Sequence, residues 1–159
     1  MDTEIRDLEK KIFSTFAEVA SSIGYSPMHG QIIGALTVRG KTLCLQDIAE
    51  ATGYSVSMIS LSLDLLEVLG IIKKIKKVGD RKLYVELSGD LLEALKSAIL
   101  LKLSKSINTS LEGFEEGKKK LEGRKDKESV QVLKSIGTLE MDIRRLKRYV
   151  DLLSKTRLP

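Results

Sequence analysis

Apolar residues recur at helical spacing along most of the chain and change to strand spacing in one short stretch. Ile5, Leu8, Ile12, Phe16, Val19 and Ile23 keep a single stripe from Thr3 to about Ile23, which predicts an amphipathic helix whose face needs a partner. Ser26-Pro27 then offers a cap and a first-turn proline for a second helix, running to about Val38. Gln46 to Thr52 reads as a short third helix closed by Gly53. A fourth begins after Ser55, with Ile59, Leu63, Leu66 and Leu69 on one face and Ser57, Met58, Ser60, Leu61 and Asp64 on the other, and ends at Gly70. From Ile71 to Val78 and from Arg81 to Leu87 the runs become strand-like, joined by Gly79-Asp80, a pair that makes a tight turn only where positive φ is available. Asp90 caps a fifth helix carrying Leu92, Leu95, Ile99, Leu103, Ile107, Leu111 and Phe114. That helix is expected to break around Gly117 to Lys127, a mixed-charge turn, before a last helix from Glu128 to Ser154.

Two short helices followed by a basic hairpin are the layout of a winged helix-turn-helix, whose second helix enters a DNA groove. The outward face of the fourth helix carries short hydroxyls and apolar groups near its N-terminus, where Ser55, Ser57, Met58, Ser60 and Leu61 could bond to bases or phosphates or touch thymine methyls. In the hairpin Lys73, Lys74, Lys76, Lys77, Arg81 and Lys82 oppose Asp80 and Glu86, concentrating positive charge where a wing meets phosphates or a minor groove. Arg81, beside the turn, is the residue expected in the groove. The plain alternative, a solvated hairpin with lysines for solubility, is weakened by the helix pair that precedes it.

From about Tyr25 to Leu87 the chain resembles the GbsR branch of the MarR superfamily of transcriptional regulators. SPMHGQIIGAL resembles the second helix of those proteins, SVSMISLSLDLLEVLGII the recognition helix and KKVGDRKLYVEL the wing. The resemblance implies a dimer held by helices at both termini, with double-stranded DNA read by recognition helix and wing. It also implies that Asp80 orients Arg81 for the minor groove. Asp64 departs from the pattern, since relatives often place a basic or neutral residue there. Relatives that sense choline-like cations would imply an aromatic cage for a small-molecule effector. This chain has no tryptophan, three phenylalanines and four tyrosines. Phe13, Phe16, Phe114 and Tyr149 lie on the terminal helices and could converge on a pocket, although core packing is the plainer reading of each.

A length of 159 residues, a net charge of +5 and a pI near 9.2 are permissive for nucleic acid rather than diagnostic. No stretch has the apolar length of a membrane span, and the charged N-terminus MDTEIRDLEKK is unlike a signal peptide, so a cytoplasmic location without membrane contact is expected. Cys44 is the only cysteine and sits between Leu43 and Leu45, which favours packing over redox sensing. No catalytic residue, metal site or cofactor is expected. Gly34 to Thr42 has five residues between its glycines where a phosphate-binding loop needs four, and His29 has no metal-spaced neighbours.

Val132, Ile136, Leu139, Ile143, Leu146, Val150 and Leu153 are spaced 4, 3, 4, 3, 4 and 3, a heptad seam. Together with Ile5, Leu8 and Ile12 it is the expected dimer contact, although the fifth helix of the same chain could cover it instead. The expected fold is therefore mainly α with a small β-wing, a winged helix-turn-helix core flanked by dimerisation helices. Its segments are 1–24 (N-terminal dimerisation helix), 25–88 (DNA-binding domain) and 89–159 (C-terminal dimerisation region). A homodimeric, sequence-specific DNA-binding regulator is the leading expectation. A winged-helix protein-interaction module and a non-specific architectural DNA-binding protein are the alternatives.

Overall fold

Asp2 opens the first helix by accepting the Glu4 amide at 3.3 Å, and the computed structural model describes residues 2–159 from there. The helices are α1 (Thr3–Ser22), α2 (Pro27–Arg39), α3 (Leu45–Thr52), α4 (Val56–Val68), α5 (Leu91–Leu121) and α6 (Lys127–Lys155). Three short strands, β1 (Thr42–Cys44), β2 (Ile72–Lys76) and β3 (Leu83–Leu87), form an antiparallel sheet in the order β1-β3-β2. The chain divides into two compact units, one up to Leu95 and one from Lys96 onward.

The first unit gathers its core from every element. Ile32 and Leu36 of α2, Ile48 of α3, Ile59, Leu63 and Leu66 of α4 and Val85 of β3 are all fully buried. Starts and stops follow local chemistry: Ser26 and Ser55 cap α2 and α4 by accepting the amides of Met28 and Met58. Gly53 ends α3 at φ +78°, a left-handed conformation that favours glycine.

The packed face of α1 is not the stripe of large residues. Phe13, Ala17 and Ala20 are buried, whereas Ile5, Leu8, Ile12 and Val19 stay exposed. Small residues do the packing because the two helices touch backbone to backbone. A Cβ on Gly30 would lie 2.1 Å from the Phe16 carbonyl oxygen, and one on Gly34 would lie 3.1 Å from the Phe13 ring. Across this contact Arg39 donates twice to Glu9, at 2.6 and 2.9 Å. Glu9 is only 8% exposed, and the Arg39 hydrogen bonds outweigh its burial, so its carboxyl sits below the ordinary range. By packing, α1 belongs to the same unit as the winged segment.

In the second unit α5 and α6 form an antiparallel hairpin, with Leu100, Ile107, Leu111 and Val150 as a small core and Leu103, Phe114, Ile143 and Leu153 packed against it. The expected break at Gly117 is corrected: α5 continues to Leu121 and the turn is confined to residues 122–126. Gly117 stays helical within α5, and a Cβ there would make only ordinary contact, 3.4 Å from the Ile136 side chain. Gly123, at φ +78°, makes the turn instead, and Asp126 caps α6 by accepting the Ser129 amide at 2.9 Å. No described helix is long and apolar enough to cross a membrane.

Candidate nucleic-acid interface

The two faces of α4 are sharply divided. Ile59, Ser62, Leu63 and Leu66 are buried, while Ser57, Met58, Ser60, Leu61 and Asp64 are exposed, Leu61 at 82%. The period of the apolar residues produces this directly, since one face closes the core and the other is left to solvent. Ser55 is exposed too, but its hydroxyl is occupied in accepting the Met58 amide at 3.2 Å. The Ser62 hydroxyl is turned inward, bonded to the Met58 carbonyl at 3.1 Å and the Met28 sulfur at 3.2 Å.

The wing is the β2–β3 hairpin. Its ladder pairs Ile72 with Leu87 through Lys76 with Leu83, leaving residues 77–82 as the tip. Gly79 takes φ +78°, which lets the Asp80 amide reach the Lys77 carbonyl at 3.2 Å. The Asp80 carboxylate accepts from the Lys82 amide at 2.9 Å and the Tyr84 hydroxyl at 2.8 Å. These two bonds hold its pKa below the usual aspartate value, the Lys82 amide contributing most. Its oxygens thus pin the tip's own backbone and Tyr84, and among the described residues neither accepts from the adjacent Arg81.

The wing's cations are not equivalent. Lys73 pairs with its cross-strand neighbour Glu86 at 3.2 Å, and the Lys77 ammonium lies 3.9 Å over the Tyr84 ring. Lys74 pairs with Asp64 and, at 3.8 Å, with Glu67. Among the described residues the side chains of Lys76, Arg81 and Lys82 make no ion pair or hydrogen bond, although the Lys82 charge helps to lower the pKa of Asp80 and Asp47. Lys76, Arg81 and Lys82 are therefore the cations readiest for an external anion.

Two features escaped sequence reasoning. The segment around Cys44 reads as strand-like in sequence, but not its partner: as β1 it pairs with β3 through Thr42–Glu86, Leu43–Val85 and Cys44–Tyr84, joining the wing's base to the start of α3. There the buried Cys44 donates its thiol and its amide to Asp47, at 3.0 and 3.3 Å. The second is the link from Lys74 to Asp64 and Glu67, which spans α4 and the wing. Acids three residues apart on an exposed helix face, with a lysine in the next strand, were its only signal.

The residues assigned to dimerisation divide. Val132, Leu139 and Leu146 are exposed on α6 and Ile5, Leu8 and Ile12 on α1. Ile136, Ile143, Val150 and Leu153 instead turn toward α5, Val150 to 2% exposure. A seam of that spacing has two columns; α5 covers the column of Ile136, Ile143 and Val150 and, at Leu153, the end of the other. Within their own units the four aromatic residues of the terminal helices are placed differently. Phe13 and Phe16 are seated against the α2 glycines, Phe114 packs into the hairpin core and Tyr149 is exposed. The hairpin's open groove is lined by Asn108, Leu111 and charged side chains including Glu112, Lys119, Arg144 and Lys147, without an aromatic ring.

Comparison with protein-family models and with curated proteins finds no match to the chain. Among solved structures the chain is similar to the crystal structure of a transcriptional regulator, with a TM-score of 0.64 and 17% identity, covering 92% of this chain and 96% of that one. At that identity the likeness is one of fold, and it extends well beyond the winged segment. The chain thus has a mainly helical winged-helix fold with a small three-stranded sheet, shared with that regulator.

Proposed function

We propose that this protein is a sequence-specific, DNA-binding transcriptional regulator that acts as a homodimer in the cytoplasm, without catalysis. The observation that carries the reading is the division of α4 between a buried apolar face and an outward face of Ser57, Met58, Ser60 and Leu61, in the same unit as a wing tip with uncommitted cations. In this reading α4 enters the major groove, where the serine hydroxyls reach base edges and Met58 and Leu61 meet thymine methyls. Arg81 enters the adjacent minor groove, and Lys76 and Lys82 hold phosphates. Lys73 and Lys77 can exchange their present partners for phosphate. The sequence resemblance to the GbsR branch and the fold shared with a transcriptional regulator support the same reading.

Dimerisation rests on the exposed α6 column Val132, Leu139 and Leu146 and on the α1 stripe, apolar rows without cover in their own units. A two-fold dimer sets two recognition helices one DNA turn apart, about 34 Å. Segments 1–24 and 89–159 then serve assembly around a DNA-reading segment, 25–88.

A titration against genomic fragments with competitor DNA, at two salt concentrations, tests the function. A regulator retains one preferred fragment as salt rises, whereas an architectural protein loses all fragments alike. The exposure of Leu61 and Val68, at 82% and 79%, favours as a second reading a module that docks another protein through α4. No DNA affinity at either salt concentration would select it.

A further inference from the structure

Asp64 is an acid on the face of α4 assigned to DNA, and its side chain is 81% exposed. A carboxylate there faces repulsion from phosphates. The structure supplies an answer in Lys74. On β2 this residue lies opposite the buried Val85 and two positions from the buried Ile72, so its side chain leaves the strand on the core-facing side. That direction takes the ammonium to α4, where it meets Asp64 and, at 3.8 Å, Glu67. The backbone joins in. With the order β1-β3-β2, β2 is an edge strand, and the Lys74 amide donates to Glu67 at 3.3 Å, satisfying a donor that an edge strand leaves open.

We propose that Lys74 is a positioning residue for DNA binding. Bridging Asp64 and Glu67, it ties the wing's first strand to α4 and cancels acidic charge on the recognition face, so that helix and wing meet DNA as one body. Lys74 is in this account not a phosphate contact, unlike Lys76. The inference rests on the DNA-binding reading above.

The test is a double-mutant cycle on the full chain, with a fluorescein-labelled, mixed-sequence duplex at low salt as the probe. Lys74→Met keeps the aliphatic stem and removes the charge. With the clamp in place, Asp64→Asn alone should change affinity by less than about 1.5-fold, because that carboxylate is already cancelled. In the Lys74→Met background the same substitution should tighten binding roughly two- to fivefold, the range of an exposed ion pair. Equal effects in both backgrounds would overturn the clamp while leaving DNA binding intact. Failure of the unaltered protein to bind the duplex would overturn both. A readout that needs neither DNA nor Lys74→Met is amide exchange at Lys74. It should accelerate in Glu67→Ala, and an unchanged rate would refute the tie between strand and helix.

Discussion

The winged unit and the α5–α6 hairpin solve the problem of burying apolar surface differently. The first folds four helices and a three-stranded sheet around Ile32, Leu36, Ile48, Ile59, Leu63, Leu66 and Val85, all sealed from solvent. The second has two helices and four buried core residues, and on α6 it leaves Val132, Leu139, Met141, Leu146, Tyr149 and Leu152 in water. Two helices can cover only one side of each other, so the hairpin keeps an apolar row exposed along α6, whereas the winged unit seals its core and leaves the outer stripe of α1 exposed. The comparison separates two kinds of apolar residue that look alike in sequence, those sealed in a core and those left exposed for the proposed dimer to cover.

The largest expected effect falls on the assembly. Joint replacement Leu139→Asp with Leu146→Asp should remove more than about 3 kcal/mol of contact per subunit and yield a monomer by sedimentation, with operator affinity largely lost. Thermal melting of the winged unit should be nearly unchanged. A dimer persisting in the variant would move the interface elsewhere.

Substitution inside the winged core should do the reverse. Leu63→Ala leaves a cavity and should cost about 2–5 kcal/mol of stability, read as a lowered melting temperature. DNA affinity should then fall only in proportion to the unfolded fraction. A specific loss of affinity with melting unchanged would mean that the two faces of α4 have been exchanged.

Arg81→Ala is smaller and acts on neither core nor seam. Loss of a guanidinium from a narrow groove should weaken operator binding by about 1–3 kcal/mol with the fold intact, measured by fluorescence anisotropy. An unchanged affinity would remove the wing tip from the interface.

The smallest effect concerns the Glu9–Arg39 pair of the winged unit. Because the folded state holds the Glu9 carboxyl below its ordinary value of 4.5, chiefly through the Arg39 hydrogen bonds, its contribution is complete above that value. It is lost as pH falls through the lowered value. The difference in melting temperature between the unaltered protein and Glu9→Gln should therefore be constant near neutrality and shrink below pH 4.5. A difference independent of pH would contradict the assigned pairing.

Much of the winged unit was legible in sequence because its signals are periodic or local. The Ile59, Leu63, Leu66 and Leu69 spacing sorted α4 into two faces, and Ser26-Pro27, Gly53, Gly79 and Asp90 marked starts and turns through conformations their neighbours could not supply as readily. What escaped is close approach and long range. In α1 the large stripe drew attention away from Phe13, Ala17 and Ala20, whose small members matter because Gly30 brings a second backbone within reach. Gly117 looked like a break because glycines among mixed charges mark turns, yet α5 runs through it to Leu121 and the turn falls at Gly123. Glu9–Arg39 and Asp64–Lys74 join residues with no mutual pattern in the chain. At the candidate site the exposed face of α4 could be read from its period, whereas the sorting of wing cations into paired and unpaired depends on side chains across the hairpin.

Lysine-acetylation footprinting with and without duplex DNA tests the central claim most directly, because both units carry exposed lysines. DNA should protect Lys76, Lys77 and Lys82 on the wing while leaving Lys119, Lys120 and Lys125 of the hairpin as reactive as in the free protein. Protection of the hairpin lysines with the wing lysines unchanged would contradict the account.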